Sequence, residues 1–198
     1  MHTTLFCDQF FIDKMGETVR LAIAKTPAEI PTKEAQQTLV ASFLTAYENV
    51  PLAELNPDFK SSEDVRRFYQ DYFESEFAHF QNGSLIWVQA FIGKQLVGWA
   101  TFELEDKNQA YLNLLAVDPS YQKRGIGKHL VFFLCSETSF PLIETIHVLL
   151  RKINLQGRRF YESIGFRDAP NYQRKDDFVD NDLLIPICWQ IKHDWQKE

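Results

Sequence analysis

The apolar positions of this chain change period several times, and each change marks an element. In ETVRLAIAK (17–25), Val19, Leu21 and Ile23 alternate with smaller or polar residues, which predicts a half-buried strand. TPAEIPT interrupts the alternation. From Thr32, read as an N-cap, Ala35, Leu39, Val40, Phe43, Leu44 and Tyr47 recur at helical spacing and predict an amphipathic helix. VPLAELNPDFK reads as a loop. SSED then opens a second helix with Ser61 and Asp64 at capping-box spacing. Val65, Phe68, Tyr69, Tyr72, Phe73, Phe77 and Phe80 share one face of it, and QNG (81–83) ends it.

Two short apolar runs, LIWVQAF (85–91) and LVGWATFEL (96–104), predict a hairpin, and AYLNLLAV (110–117) is apolar enough for an interior strand that completes an antiparallel meander. Asp118 and Pro119 end that strand, since proline has no donor for a ladder. From Gly125 the period becomes helical through GIGKHLVFFLCSET. After SFPL, IETIHVLL (143–150) returns to strand, so a crossover with parallel strands is expected. NLQGRRFYESIG predicts a helix ended by Gly165, and residues 168–182 are polar and turn-forming. LLIPICWQI (183–191) is a last strand that Pro186 places at an edge or bulge. Residues 1–16 read equally as an extension or a strand. The expected fold class is α+β in three layers: a mixed sheet of about six to seven strands, an antiparallel meander plus one parallel crossover, with about four flanking helices. A length of 198 residues, 45% of them hydrophobic, suits one domain spanning 1–198.

Composition narrows the function. There is no apolar run of about 18 residues to span a bilayer, and MHTTLFCDQF lacks the features of a secretory signal, so a cytoplasmic location without membrane partners is expected. Cys7, Cys135 and Cys188 are widely spaced and read as buried free thiols. His79, His129 and His147 have no ligand spacing, so no metal is expected. A net charge of −6 argues against a nucleic-acid partner. The charge is uneven: residues 121–160 hold seven bases and two acids, which leaves −11 on the rest of the chain. An anionic ligand in that basic segment is one reading of this asymmetry, and a solvated charged face is the other.

The segment YQKRGIGKHL (121–130) carries the chemistry. A strand ending in VDP, a polar loop and a helix start together leave main-chain amides without intrahelical acceptors. Gly125 and Gly127 remove Cβ atoms, and Gln122, Lys123 and Arg124 add side-chain donors. Such a turn suits a pyrophosphate. GxxxxGK[ST] is absent, and GxGxxG fails because Leu130 stands three residues after Gly127.

QKRGIG instead resembles the Q/RxxGxG/A loop of the Gcn5-related N-acetyltransferase (GNAT) superfamily. NLQGRRFYESIGF, some thirty residues on, resembles that family's second signature, NxxGxxFYExxGF. The resemblance implies a GNAT fold and acetyl-CoA (coenzyme A) as co-substrate. It implies a pyrophosphate held by Gln122, Lys123, Arg124, Gly125, Ile126, Gly127 and Lys128. A pantetheine arm would lie between two splayed strands against Leu115, Ala116 and Val117, with Asn154 nearby. It further implies direct attack of a primary amine on the thioester, the Leu115 amide facing the developing oxyanion and Tyr161 protonating the departing thiolate. Related peptide N-terminal acetyltransferases often carry a glutamate where this chain has Gln109, Ala110 and Tyr111, so Glu103 is taken as the substitute base. Arg151 and Lys152 either meet the 3′-phosphate or end a strand in solvent. Residues 48–80 hold eight acids and three bases. They either form a solvated helix back or favour a cationic acceptor, a small molecule or a peptide amine. A homodimer is left open. The alternative function is a non-catalytic acyl-CoA-binding module of the same fold.

Overall fold

The computed structural model describes residues 8–135, 143–174 and 183–190. Eight strands form one sheet: β1 (Gln9–Ile12), β2 (Thr18–Ile23), β3 (Ile86–Ile92), β4 (Gln95–Asp106), β5 (Gln109–Val117), β6 (Thr145–Arg151), β7 (Arg167–Asp168) and β8 (Leu184–Gln190). Their order is β1-β2-β3-β4-β5-β6-β8-β7, antiparallel throughout except for the parallel pair β5 and β6. The mixed sheet with one crossover is as expected, with a higher strand count. The additions are β1, from the ambiguous N-terminal stretch, and β7, two residues long and partly within a segment read as turn.

Helices α1 (Thr32–Ala46), α2 (Leu52–Leu55) and α3 (Ser62–Gln81) accompany one face, and α4 (Ile126–Val131) and α5 (Leu155–Ser163) the other. Alternation in the strands divides the two cores. Trp87 and Trp99 stack with centroids 4.6 Å apart under α1 and α3, and Phe73 meets both rings edge-on. On the other face Leu112, Ile126, Leu130, Ile146 and Phe166 are buried together. The α3 capping box forms as read, with Ser61 and Asp64 each closing on the other's backbone. Three local expectations are corrected. Thr32 is the first helical residue of α1 and Pro31 its N-cap, without a side-chain bond, because a proline ring is accommodated where no intrahelical donor is needed. The segment read as a loop contains α2, a single turn after Pro51. The helix after Gly125 has six residues and passes into a 3-10 turn, Phe133–Cys135. Pro186 sits in β8, where its carbonyl accepts from the Ala169 amide (2.9 Å). Its missing N–H is on the same side, toward the end of β7; β8 lies between β6 and β7 and pairs with β6 without a bulge, which corrects the edge-or-bulge reading. SFPL, Cys7 and residues 175–182 lie outside the described residues.

Two irregularities shape the centre of the sheet. β5 pairs with β6 only at Gln109–Thr145, Ala110–Ile146 and Tyr111–His147; beyond this the strands part. β5 also carries a bulge: Phe102 faces Leu112 and Thr101 faces Leu114, so Asn113 has no partner on β4. An extra residue bends a strand and increases its twist. It also reverses the side-chain alternation, so Leu112 and Leu115 both face α4 and α5 while Leu114 and Ala116 face α1 and α3. The bulge and the parting of the strands open a gap through the sheet.

Candidate active site

The β5–α4 connection is built from successive tight turns. Asp118 Oδ1 accepts the Ser120 amide (2.8 Å), Pro119–Tyr121 form a 3-10 turn, and Lys123 (φ 61°) and Gly125 (φ 95°) bend the backbone left-handed. The first intrahelical bond runs from His129 N to Gly125 O (3.2 Å). Among the described residues, the amides of Lys123, Arg124, Gly125, Ile126, Gly127 and Lys128 have no protein acceptor. Gln122 differs, since its amide bonds Pro119 O (3.4 Å) and its side-chain amide bonds Val117 O (3.2 Å). Its side-chain bond closes the loop onto β5.

Four of the six residues from Lys123 to Lys128 border a cleft of about 690 Å³. Leu115, Val117, Lys123, Gly125, Gly127, Lys128, Asn154 and Tyr161 line it, as do Ser42 and Ala46 of α1. Because α1 and α5 lie on opposite faces, a cleft lined by both passes through the gap between β5 and β6. Gln122 also reaches it. Ala116 and Ile126 do not; each is fully buried in a core, so their contribution is limited to backbone. Gly127 answers to packing: a Cβ there would meet the Phe160 ring at 3.3 Å, so the glycine lets α4 approach α5. Asn154 caps α5, accepting from the Gly157 amide at 2.7 Å. Tyr161 is buried among Phe160 and Phe166, and burial pushes its phenol above the ordinary tyrosine range. It is a neutral O–H donor across the physiological range.

Several expected donors point elsewhere. The Arg124 guanidinium pairs with Asp13 and Glu17 in the β1–β2 turn, its Nε donating to Asp13 Oδ2 at 2.6 Å. Arg151 donates to the Leu55 carbonyl at 2.6 Å and so ties α2 to the sheet. Sequence gave no sign of either pairing, since the partners are distant in the chain. Lys14, Tyr121, Gln156 and Arg159 also line the cleft. Arg159 was detectable as a charge on the signature helix, whereas Lys14 lies in the turn that carried no pattern.

On the α1–α3 face, Glu103 is bonded by Arg174 Nη2 at 2.7 Å, while Arg174 Nη1 donates to Asn113 Oδ1 (2.9 Å) and its guanidinium covers the Tyr111 ring. Nearby, His147 Nδ1 lies 2.9 Å from Glu105 Oε2, and Tyr172 stacks on the imidazole while donating to the same carboxylate. Burial alone would raise the Glu105 carboxyl, but its bonds to His147 and Tyr172 outweigh this and hold it below the ordinary range. Glu76 of α3 is buried and accepts from Thr101 Oγ1 (2.9 Å); burial pushes its carboxyl up. Cys135, half-buried, has its thiol pushed up to about 12 by burial, which removes it as a nucleophile, and Cys188 is also half-buried. Among the described residues no group of metal-ligating side chains forms, and no helix is long and apolar enough to cross a membrane.

Residues 50–166 match the acetyltransferase (GNAT) family. The chain belongs to that family. It is 36% identical over 83 residues to the ribosomal protein bS18-alanine N-acetyltransferase of Escherichia coli (strain K12), an overlap of 40% of this chain and 56% of that protein. The chain thus spans little more than half the length of the curated relatives it matches. Among solved structures, the PaiA N-acetyltransferase from Thermoplasma acidophilum in complex with coenzyme A is similar with a TM-score of 0.65. The match covers 86% of this chain and 98% of that one at 17% identity. The GNAT domain of S. lividans PAT is similar with a TM-score of 0.59, over 93% and 97% at 15% identity. At these identities the structural likenesses carry the fold.

Proposed function

We propose that this GNAT protein transfers an acetyl or short acyl group from acetyl-CoA to a primary amine by direct attack in a ternary complex. One observation carries the reading: among the described residues, six consecutive amides, Lys123 to Lys128, lack protein acceptors, and four of these residues border a cleft that crosses the sheet and reaches Tyr161. Lys123 and Lys128 add charge beside them. A diphosphate satisfies these donors, and a pantetheine arm following the cleft brings the thioester to Leu115, where β5 has left β6. The amine nitrogen bonds to the acyl carbon as the carbon–sulfur bond breaks. Tyr161 gives its proton to the sulfur, and a base on the α1–α3 face takes the proton of the amine.

Glu103 is the proposed base. Its carboxylate is 42% exposed and paired with Arg174. His147, with Nδ1 held by Glu105, is a second acceptor on the same face. The acceptor is a primary amine, and a peptide N-terminus is supported by the name of the bS18-alanine relative. The acids of α3 and its preceding loop favour a cationic one. The engagement of Glu103 by Arg174 favours a second reading, in which the protein binds acyl-CoA without turnover.

Release of free thiol from acetyl-CoA over a panel of peptides and small amines decides between them. Tyr161→Phe should lower kcat about 100-fold or more while coenzyme affinity stays within about twofold. Thiol release by no amine, with acetyl-CoA bound normally, favours the binding module.

A further inference from the structure

The β1–β2 turn lies outside the family-matched segment, yet it is bonded to the loop that the function depends on. Lys14 N donates to Arg124 O (3.3 Å). Asp13, with its side chain fully buried, receives the Met15 and Glu17 amides on Oδ1 (2.9 and 3.0 Å) and the Arg124 Nε on Oδ2 (2.6 Å). Glu17 pairs with the same guanidinium. The guanidinium also lies over the Tyr121 ring, 4.8 Å from its centroid. Phe11 of β1 stacks on His129 of α4 with centroids 3.7 Å apart. Arg124 is thereby surrounded by acceptors of its own chain, and two carboxylates offset its charge. On the cleft side of the same turn, Lys14 is exposed and lines the cavity together with Lys123 and Lys128.

We infer that the β1–β2 turn is a working part of the cofactor site: Asp13 and Glu17 hold Arg124 as a latch that fixes the loop, and Lys14 supplies a phosphate-binding cation in its place. The inference rests on the acyl-CoA reading. A latch and a ligand make opposite demands on an arginine. Two acidic partners satisfy the first demand, and a lysine one residue from Asp13 meets the second. Arg124 is then a positioning residue, and Lys14 a binding residue.

The test is calorimetric titration of coenzyme A and 3′-dephospho-coenzyme A at two salt concentrations. The proteins are wild type, Lys14→Gln, Asp13→Asn, Arg124→Gln and the Asp13→Asn/Arg124→Gln pair. Lys14→Gln should weaken coenzyme A about tenfold, flatten the salt dependence and leave Tm within about a degree. Both Asp13→Asn and Arg124→Gln should weaken binding and lower Tm, and the double variant should lose no more than the worse single one. A Lys14→Gln loss that persists with the dephospho compound assigns Lys14 to the diphosphate, and one that disappears assigns it to the 3′-phosphate; both support the inference. Wild-type affinity in Lys14→Gln, a variant with no buried partner to lose, overturns it, as does strict additivity of the Asp13 and Arg124 losses. No coenzyme A binding by the wild type overturns the acyl-CoA reading and this inference with it.

Discussion

Gly125 bends the loop at φ 95°, and an added Cβ there would find only the His129 ring, at 3.9 Å. Space is therefore not the constraint; backbone conformation is. An alanine forced left-handed costs about 1–2 kcal/mol, and relaxation of that strain would turn the neighbouring amides out of line. Gly125→Ala should lower unfolding stability by about 1 kcal/mol and weaken acetyl-CoA on the order of tenfold, measured by urea denaturation and calorimetry. Full affinity with reduced stability would separate the bend from the binding. The glycines, Asn154 and Tyr161 could be located from sequence because their spacing along one segment is the signal. Arg124 could not: its partners Asp13 and Glu17 stand more than a hundred residues away, and a cation in a basic loop looks the same whether it faces a ligand or a carboxylate.

At the scale of elements, α3 rests on the sheet through a buried carboxylate. Glu76 accepts from Thr101 Oγ1, and burial raises its carboxyl above the ordinary glutamate range. A carboxyl with a raised folded pKa binds its proton more tightly when folded, so this group lowers stability as pH rises above the unfolded value and does nothing below it. Glu76→Gln should therefore raise Tm at pH 7 relative to wild type and leave it unchanged near pH 4. An equal shift at both pH values would show that packing is responsible instead. The capping box of α3, the meander and the parallel crossover were legible because local spacing encodes them. The Asn113 bulge and the parting of β5 from β6 were not, since register depends on which strands become neighbours. β1 escaped because four residues with one buried-facing alternation are too short to distinguish from an extension.

For the molecule as a whole, the two cores hold the two halves of the cleft. α4 and α5 line the cleft from one face of the sheet, α1 lines it from the other, and the gap in the sheet joins them. The family match covers the middle of this arrangement, while the first hairpin supports the loop from outside it. The most direct test titrates acetyl-CoA into the amide-labelled protein and follows the backbone resonances of Lys123 to Lys128 by NMR. The account predicts that these six amides shift together, downfield and saturably, with the Gln122 amide, already bonded to Pro119, moving far less. Shifts confined to other parts of the cleft, with this run unmoved at saturation, would contradict it.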